Sequence, residues 1–200
     1  MIKIKHTYFV DGQELEGFEF HFEPIEDSIF FSHTEVGYLL KYLTSDEAPE
    51  SPREWDNFGK MVCWHGRYNL GDNHNFETPE EFEGWIKQNK KELIILPLYL
   101  LDHSGLSMSA RDFSYCDPGQ WDSGQVGWIY AEIGKENLSK EEIENYLLQE
   151  VKVYNMYLQG DVYCCVVETF NKDKENLDYD VVSGYFGYDD ALMNLKEIGD

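Results

Sequence analysis

No run of about 18 apolar residues occurs in this 200-residue chain, so no membrane-spanning helix is expected. The longest apolar passage, 93–101, is strand-length and is broken by Pro97. Cysteine is scarce: Cys63, Cys116, Cys164 and Cys165 contain no CxxC pair. That argues against a structural zinc site and for free, buried thiols. The chain also lacks GxxxxGK[ST], HExxH and the EF-hand spacing, so neither a phosphate loop nor a dedicated metal motif is present, and no cofactor is expected. The N-terminal MIKIKHTYFVDGQ has no separate apolar core or cleavage pattern. A secretory signal is therefore not expected, and the protein is expected in the cytoplasm of the cell that makes it.

Positive charge is in shortest supply. Lys and Arg total 16 against 39 Asp and Glu, a net charge of −23. The imbalance is uneven. Positions 11–56 hold 13 acidic and 2 basic residues, and positions 132–200 hold 16 and 6. Positions 57–131 hold 10 and 6, so the middle of the chain is the least acidic part. A field of this sign repels nucleic acid, whose binding requires phosphates to be neutralised by Lys and Arg. It attracts basic surfaces such as the nucleic-acid channel of another protein. Simple solubility accounts for the same composition without any partner.

What is plentiful is apolar and aromatic residue, 42% and 16% of the chain, which marks it as globular. Positions 2–10 followed by Asp11-Gly12 suggest a hairpin, with Phe18, Phe20 and Phe22 alternating against Glu19, His21 and Glu23 in its second strand. Ser32 or Thr34 is placed to cap a helix running to about Tyr42, with Val36, Leu39, Leu40 and Leu43 inward. Positions 44–54 read as a flexible polar loop. Thr78-Pro79-Glu80-Glu81 and Ser139-Lys140-Glu141-Glu142 are capping boxes that open helices to about 91 and 158. Strands are predicted at 61–64, 92–101, 126–133, 161–170 and 181–188, with a short helix at 191–198 and an irregular stretch at 107–119. Pro97 calls for an edge position or a bulge. The expected fold is a single α+β domain over 1–200. It comprises a largely antiparallel mixed sheet, about four helices, an N-terminal hairpin-helix over 1–44 and the loop at 44–54.

Three strings stand out in the middle: WDNFGKMVCWHGRYNLGD at 55–72, PLYLLDHSG at 97–105 and WDSGQVGWIY at 121–130. Together with EVKVYNMYLQGDVYCCVVE at 150–168 they resemble a family of small acidic proteins encoded by bacteriophages and mobile elements. The resemblance covers the chain from about Trp55 onward. It implies a role in evading host defence and supplies no catalytic residues.

Two function classes stay open. In the first, exposed carboxylates at Glu14, Glu16, Glu19, Glu23, Glu26, Asp27, Asp46, Glu47 and Glu50 face a basic host protein, as a DNA mimic of anti-CRISPR or anti-restriction type would. Neither direct nucleic-acid binding nor a membrane role is expected. Glu136, Glu141, Glu142 and Glu144 are also acidic, but at a helix start they chiefly favour the dipole. In the second class the chain is a small hydrolase. Cys63 would be the nucleophile, His65 and His103 bases, Asp122 an orienting acid with Asp102 nearby, and Gln125 an oxyanion donor. A metal held by His65, His74, Asp102, His103 and Asp122 is chemically conceivable but has no motif behind it, and none is expected. Trp55, Trp64, Trp121 and Trp128, with Tyr68, Tyr99 and Tyr130, read as core aromatics rather than a base-stacking platform.

Overall fold

The computed structural model describes residues 8–10, 13–134 and 137–198. In chain order it contains β1 (Phe9–Val10), β2 (Gln13–Glu14), β3 (Phe30–His33), β4 (Gly37–Ser45), β5 (Lys60–Cys63) and α1 (Pro79–Asn89). After these come β6 (Leu93–Asp102), β7 (Leu106–Ser109), β8 (Ser123–Glu132), α2 (Lys140–Gln159), β9 (Val162–Asn171), β10 (Asn176–Phe186) and α3 (Tyr188–Glu197). The fold is α+β, with two four-stranded sheets whose pairings are all antiparallel. Among the described residues no helix is long and apolar enough to cross a membrane. The chain divides into two compact units, Met1–Pro49 with Gly160–Asp200, and Glu50–Gln159.

In the first unit the strand order is β10-β9-β4-β3. β4 lies inside the sheet and is apolar on both faces. Leu40 and Tyr42 meet an aromatic cluster of Tyr8, Phe18, Phe20 and Phe170, while Leu43 packs with Cys165 and with Ala191 and Leu195 of α3. This corrects the expected helix ending at Tyr42. A strand buried on both faces has a near-continuous apolar run, which periodicity alone does not separate from a helix. Gly37 adds a reason for the strand: a Cβ there would collide with the Phe170 carbonyl of β9. The N-terminal hairpin is short, with Phe9 opposite Glu14 and Val10 opposite Gln13. Its expected start at 2–7 and its Asp11-Gly12 turn lie outside the described residues. The segment 18–22 is irregular rather than a strand, although Phe18 and Phe20 are buried as expected. Edge-to-face rings hold it, with Phe18 at 5.0 Å from Phe170 and Phe20 at 5.5 Å from Tyr42.

The second unit orders its strands β5-β8-β6-β7. α2 covers one face, with Ile143, Leu147, Val151 and Tyr154 against Met61, Leu98 and Ile129. α1 covers the other through Phe82, 5.5 Å from Trp128 and 5.6 Å from Tyr130. Both caps form: Thr78 Oγ1 accepts from the Glu81 N–H while Glu81 accepts from the Glu77 N–H, and the Ser139 box closes both ways with Glu142. Pro97 lies on an interior strand, but beyond the reach of β7, which pairs only from Tyr99 to Asp102. A register shift follows it at Leu98/Tyr99. The stretch expected to be irregular after 107 contains β7.

Positions 44–54 are tied down rather than free. Thr44 ends inside β4, and Ser51 caps a short 3-10 turn, Pro52–Glu54. Arg53 is the anchor, with a side-chain exposure of 4%. From sequence it reads as a surface cation in a polar loop. Its burial depends on Glu150, 97 positions away.

Candidate functional site

The acidic excess is greatest in the first unit. Its 90 residues carry 20 acidic and 6 basic side chains, net −14, against 19 and 10, net −9, over the 110 residues of the second. Of the predicted binding residues, Glu16, Glu19, Glu23, Glu26, Asp27 and Glu47 are exposed in this unit and Asp46 is half-buried. Asp46 accepts a hydrogen bond from the Ala48 N–H. Glu14 lies in β2, and its side chain is outside the described residues, as is Glu136. Glu50 is exposed but belongs to the second unit.

Glu26 and Asp27 occupy a single 3-10 turn, Glu26–Ser28, whose position is set from below. The buried Ser28 hydroxyl donates to the Ile25 carbonyl and accepts from the Leu43 N–H of β4, at 2.7 and 2.8 Å. The turn presents its carboxylates beside others. Tyr8 is raised from its ordinary pKa by burial and then by the charges of Glu23 and Glu26. Tyr188 is raised by burial and then by Asp27 and Asp189. One tyrosine hydroxyl thus senses Glu23 and Glu26, and another senses Asp27 together with Asp189 of the first turn of α3, where Asp189 and Asp190 are both exposed. Sequence reasoning missed the last two as part of this surface. Their local role at a helix start hides it, because acidic residues are favoured there in any case.

A third carboxylate was also missed. Glu168 of β9 is fully buried. It accepts from the Tyr42 hydroxyl at 2.5 Å, the His21 N–H at 2.9 Å and the Asn176 amide at 2.7 Å, and His21 Nδ1 lies 3.5 Å away. Burial, and then Glu168, drive the Tyr42 pKa far above its ordinary value, so this hydroxyl is held as a donor. The alternating Phe pattern of 18–22 is therefore pinned to the sheet by a charge as well as by rings.

The residues of the hydrolase reading lie in the second unit, and only some of them meet. His103 Nδ1 is 2.9 Å from Asp122 Oδ2, on an exposed surface. Asp117 positions Asp122: its carboxylate accepts from the Asp122 and Trp121 N–H groups and the Ser123 hydroxyl. These bonds, that from Ser123 foremost, hold Asp117 below the usual carboxylate pKa. Arg67 pairs with Asp102 at 2.5 Å, and the Tyr68 hydroxyl donates to the same carboxylate. His65 Nδ1 accepts the N–H groups of Arg67 and Tyr68, and its ring stacks on Tyr68. Gln125 donates to the Gly127 carbonyl. His65, Asp102, Trp121, Asp122 and Gln125 line a shallow cavity of about 300 Å³.

Cys63 is not on that cavity. It faces the core under α2, and burial, then the charge of Asp72, pushes its thiol up to about 12. At neutral pH it is a protonated apolar side chain and not a nucleophile. His74 bonds the Cys63 carbonyl, at 3.1 Å, and packs against Trp64. Among the described residues, no three His, Cys, Asp or Glu side chains gather in an arrangement that holds a metal ion.

A larger cavity of about 680 Å³ lies over Arg53 and is lined by Trp55, Lys60, Asp72, Tyr130 and Glu132. Its cation is already spent. Arg53 donates to both oxygens of Asp72 at 2.8 Å, and to Glu150 and the Gly59 carbonyl at 2.9 Å. Burial would lower its pKa, but the bonds to Asp72 and Glu150 outweigh that and raise it. The two carboxylates in turn accept the N–H groups of Phe58, Gly59 and Met61. This arrangement closes a loop and commits the Arg53 guanidinium to it, leaving the exposed Lys60 as the other cation of the lining. No protein-family model, curated protein or solved structure matches the chain.

Proposed function

We propose that this is a non-enzymatic acidic protein that binds and inhibits a basic, nucleic-acid-handling protein of a host defence system, of anti-restriction or anti-CRISPR type. The observation that carries the reading is the exposure of Glu23, Glu26, Asp27, Asp189 and Asp190, with Asp27 and Asp189 both acting on Tyr188, on a unit of net charge −14. Duplex DNA offers one negative charge per about 1.7 Å of axis, and rows of carboxylates on a rigid scaffold present a comparable field to a basic cleft. The resemblance of the central strings to small phage-encoded acidic proteins points the same way. The hydrolase alternative lacks a nucleophile, because Cys63 is buried and protonated.

Affinity capture from a bacterial host lysate at about 0.05 and about 0.5 M salt tests the proposal. Basic nucleases or other nucleic-acid-binding proteins are expected at low salt and are shed at high salt. Capture of no basic protein at either concentration overturns it.

A further inference from the structure

β10 is an outermost strand of its sheet, and its outer edge pairs with no strand among the described residues. Such an edge presents unpaired N–H and C=O groups and is a ready template for another strand. Two of its donors are occupied in an unusual way. The Tyr179 N–H donates to Asp178 Oδ1 at 3.0 Å, and the Val181 N–H donates to Asp180 Oδ1 at 2.9 Å. In an antiparallel pair, alternate residues point their backbone groups away from the partner strand. Tyr179 and Val181, opposite Glu168 and Val166 of β9, are those residues. The preceding carboxylate thus covers each outward donor. Register shifts at Asn176/Asp178 and Val182/Tyr185 bracket this stretch. Leu177, Tyr179 and Val182 are 56%, 49% and 44% exposed beside it.

We propose that the outer edge of β10 takes up an extended, Lys- or Arg-bearing segment of a partner as an added strand, with Asp178 and Asp180 selecting for it. The carboxylates leave the Tyr179 and Val181 N–H groups only when an incoming cation receives them. The freed N–H groups then donate to carbonyls of the added strand, and the exposed apolar side chains meet its alternate residues. A neutral strand would have to strand two carboxylates, and a second copy of this chain would bring four together without a cation. The inference rests on the reading of the protein as a binder of basic partners and adds where, and in what conformation, the partner docks.

The probe is a ten-residue peptide alternating Lys and Val, compared with the same peptide N-methylated at alternate residues. Methylation leaves the charge and blocks the strand ladder. Wild-type protein is expected to bind the unmodified peptide at least about tenfold more tightly, with slowed amide exchange at Tyr179 and Val181. The Asp178→Asn/Asp180→Asn variant is expected to lose the preference for Lys over Ser at the alternating positions. Equal binding of both peptides overturns the edge while leaving the charge reading intact. Binding of neither overturns the edge and counts against the acidic surface as an attractor. Self-association of the wild type through β10 also overturns it.

Discussion

Among the described residues, the first unit buries Glu168 and the second buries the Arg53 side chain, and the two hold their charge in opposite ways. In the second unit Arg53 is surrounded by Asp72 and Glu150, so the charge is matched by opposite charge and all three of its nitrogens donate. In the first, Glu168 sits at zero exposure among donors that are mostly neutral: a tyrosine hydroxyl, an asparagine amide and a backbone N–H. Buried charges require pairing or full hydrogen bonding, and these are the two options. With 6 cations to 20 acidic residues, the first unit has little basic side chain to place inside. Using dipoles instead commits no Lys to the buried carboxylate, and Lys172 and Lys196 stay exposed. Lys41 donates to the Ile198 carbonyl beyond the end of α3. The second unit uses its cation to fasten a loop, and the first uses its aromatic hydroxyl and amide to fasten one.

The contrast is broken most directly at Arg53. Arg53→Ala leaves two partly buried carboxylates without their cation and is expected to cost about 3–5 kcal/mol, read from urea unfolding. Glu168→Gln should cost less, about 1–3 kcal/mol, because the amide turns one acceptor into a donor facing a donor. Equal losses at the two positions would mean that neutral donors hold a buried charge no differently from an ion pair.

Alkaline pH sharpens the comparison. Burial raises Cys164 and Cys165 to about 11 and, with Asp161, Tyr163 to about 12, all in the first unit, and Tyr42 goes higher still. In the second unit Cys63 rises to about 12. A group whose pKa is raised on folding contributes fully below its unfolded value and loses that contribution as pH rises through the folded one. Urea midpoints should therefore hold below about pH 8 and fall progressively above about pH 9. A flat profile to pH 11 would contradict the assigned burial. The smallest effect is chemical. At pH 8 a thiol reagent should modify the exposed Cys116 rapidly and Cys63, Cys164 and Cys165 far more slowly. Rapid modification of Cys63 would revive the hydrolase reading.

Local signals in the sequence were read well. The Thr78 and Ser139 caps, the strands around 61, 93, 126 and 162, and the stop at Gly160 (φ 70°) all lie where short-range chemistry puts them. Non-local features were not. β4 was mistaken for a helix because both of its faces are covered, and β7 was missed because four residues, LSMS, carry little pattern. Nothing in the local sequence marks Arg53 or Glu168 as buried. Their partners lie up to 97 and 147 positions away, and burial of a charge leaves no periodicity to detect. On the candidate surface, Glu23, Glu26 and Asp27 could be named from the run of acids, but the approach of Asp27 and Asp189 to one tyrosine depends on α3 returning to the same sheet.

The central claim is that binding resides in the arrangement of carboxylates on the first unit and not in net charge alone. Two variants of equal charge change separate these. One neutralises Glu23, Glu26, Asp27, Asp189 and Asp190, and the other neutralises Glu54, Glu80, Glu83, Glu141 and Glu144, which are exposed on the second unit. Affinity for purified restriction and CRISPR nucleases at about 0.1 M salt should fall at least about tenfold for the first variant and stay near wild type for the second. Equal weakening of both would contradict the claim and reduce the acidic surface to a non-specific field.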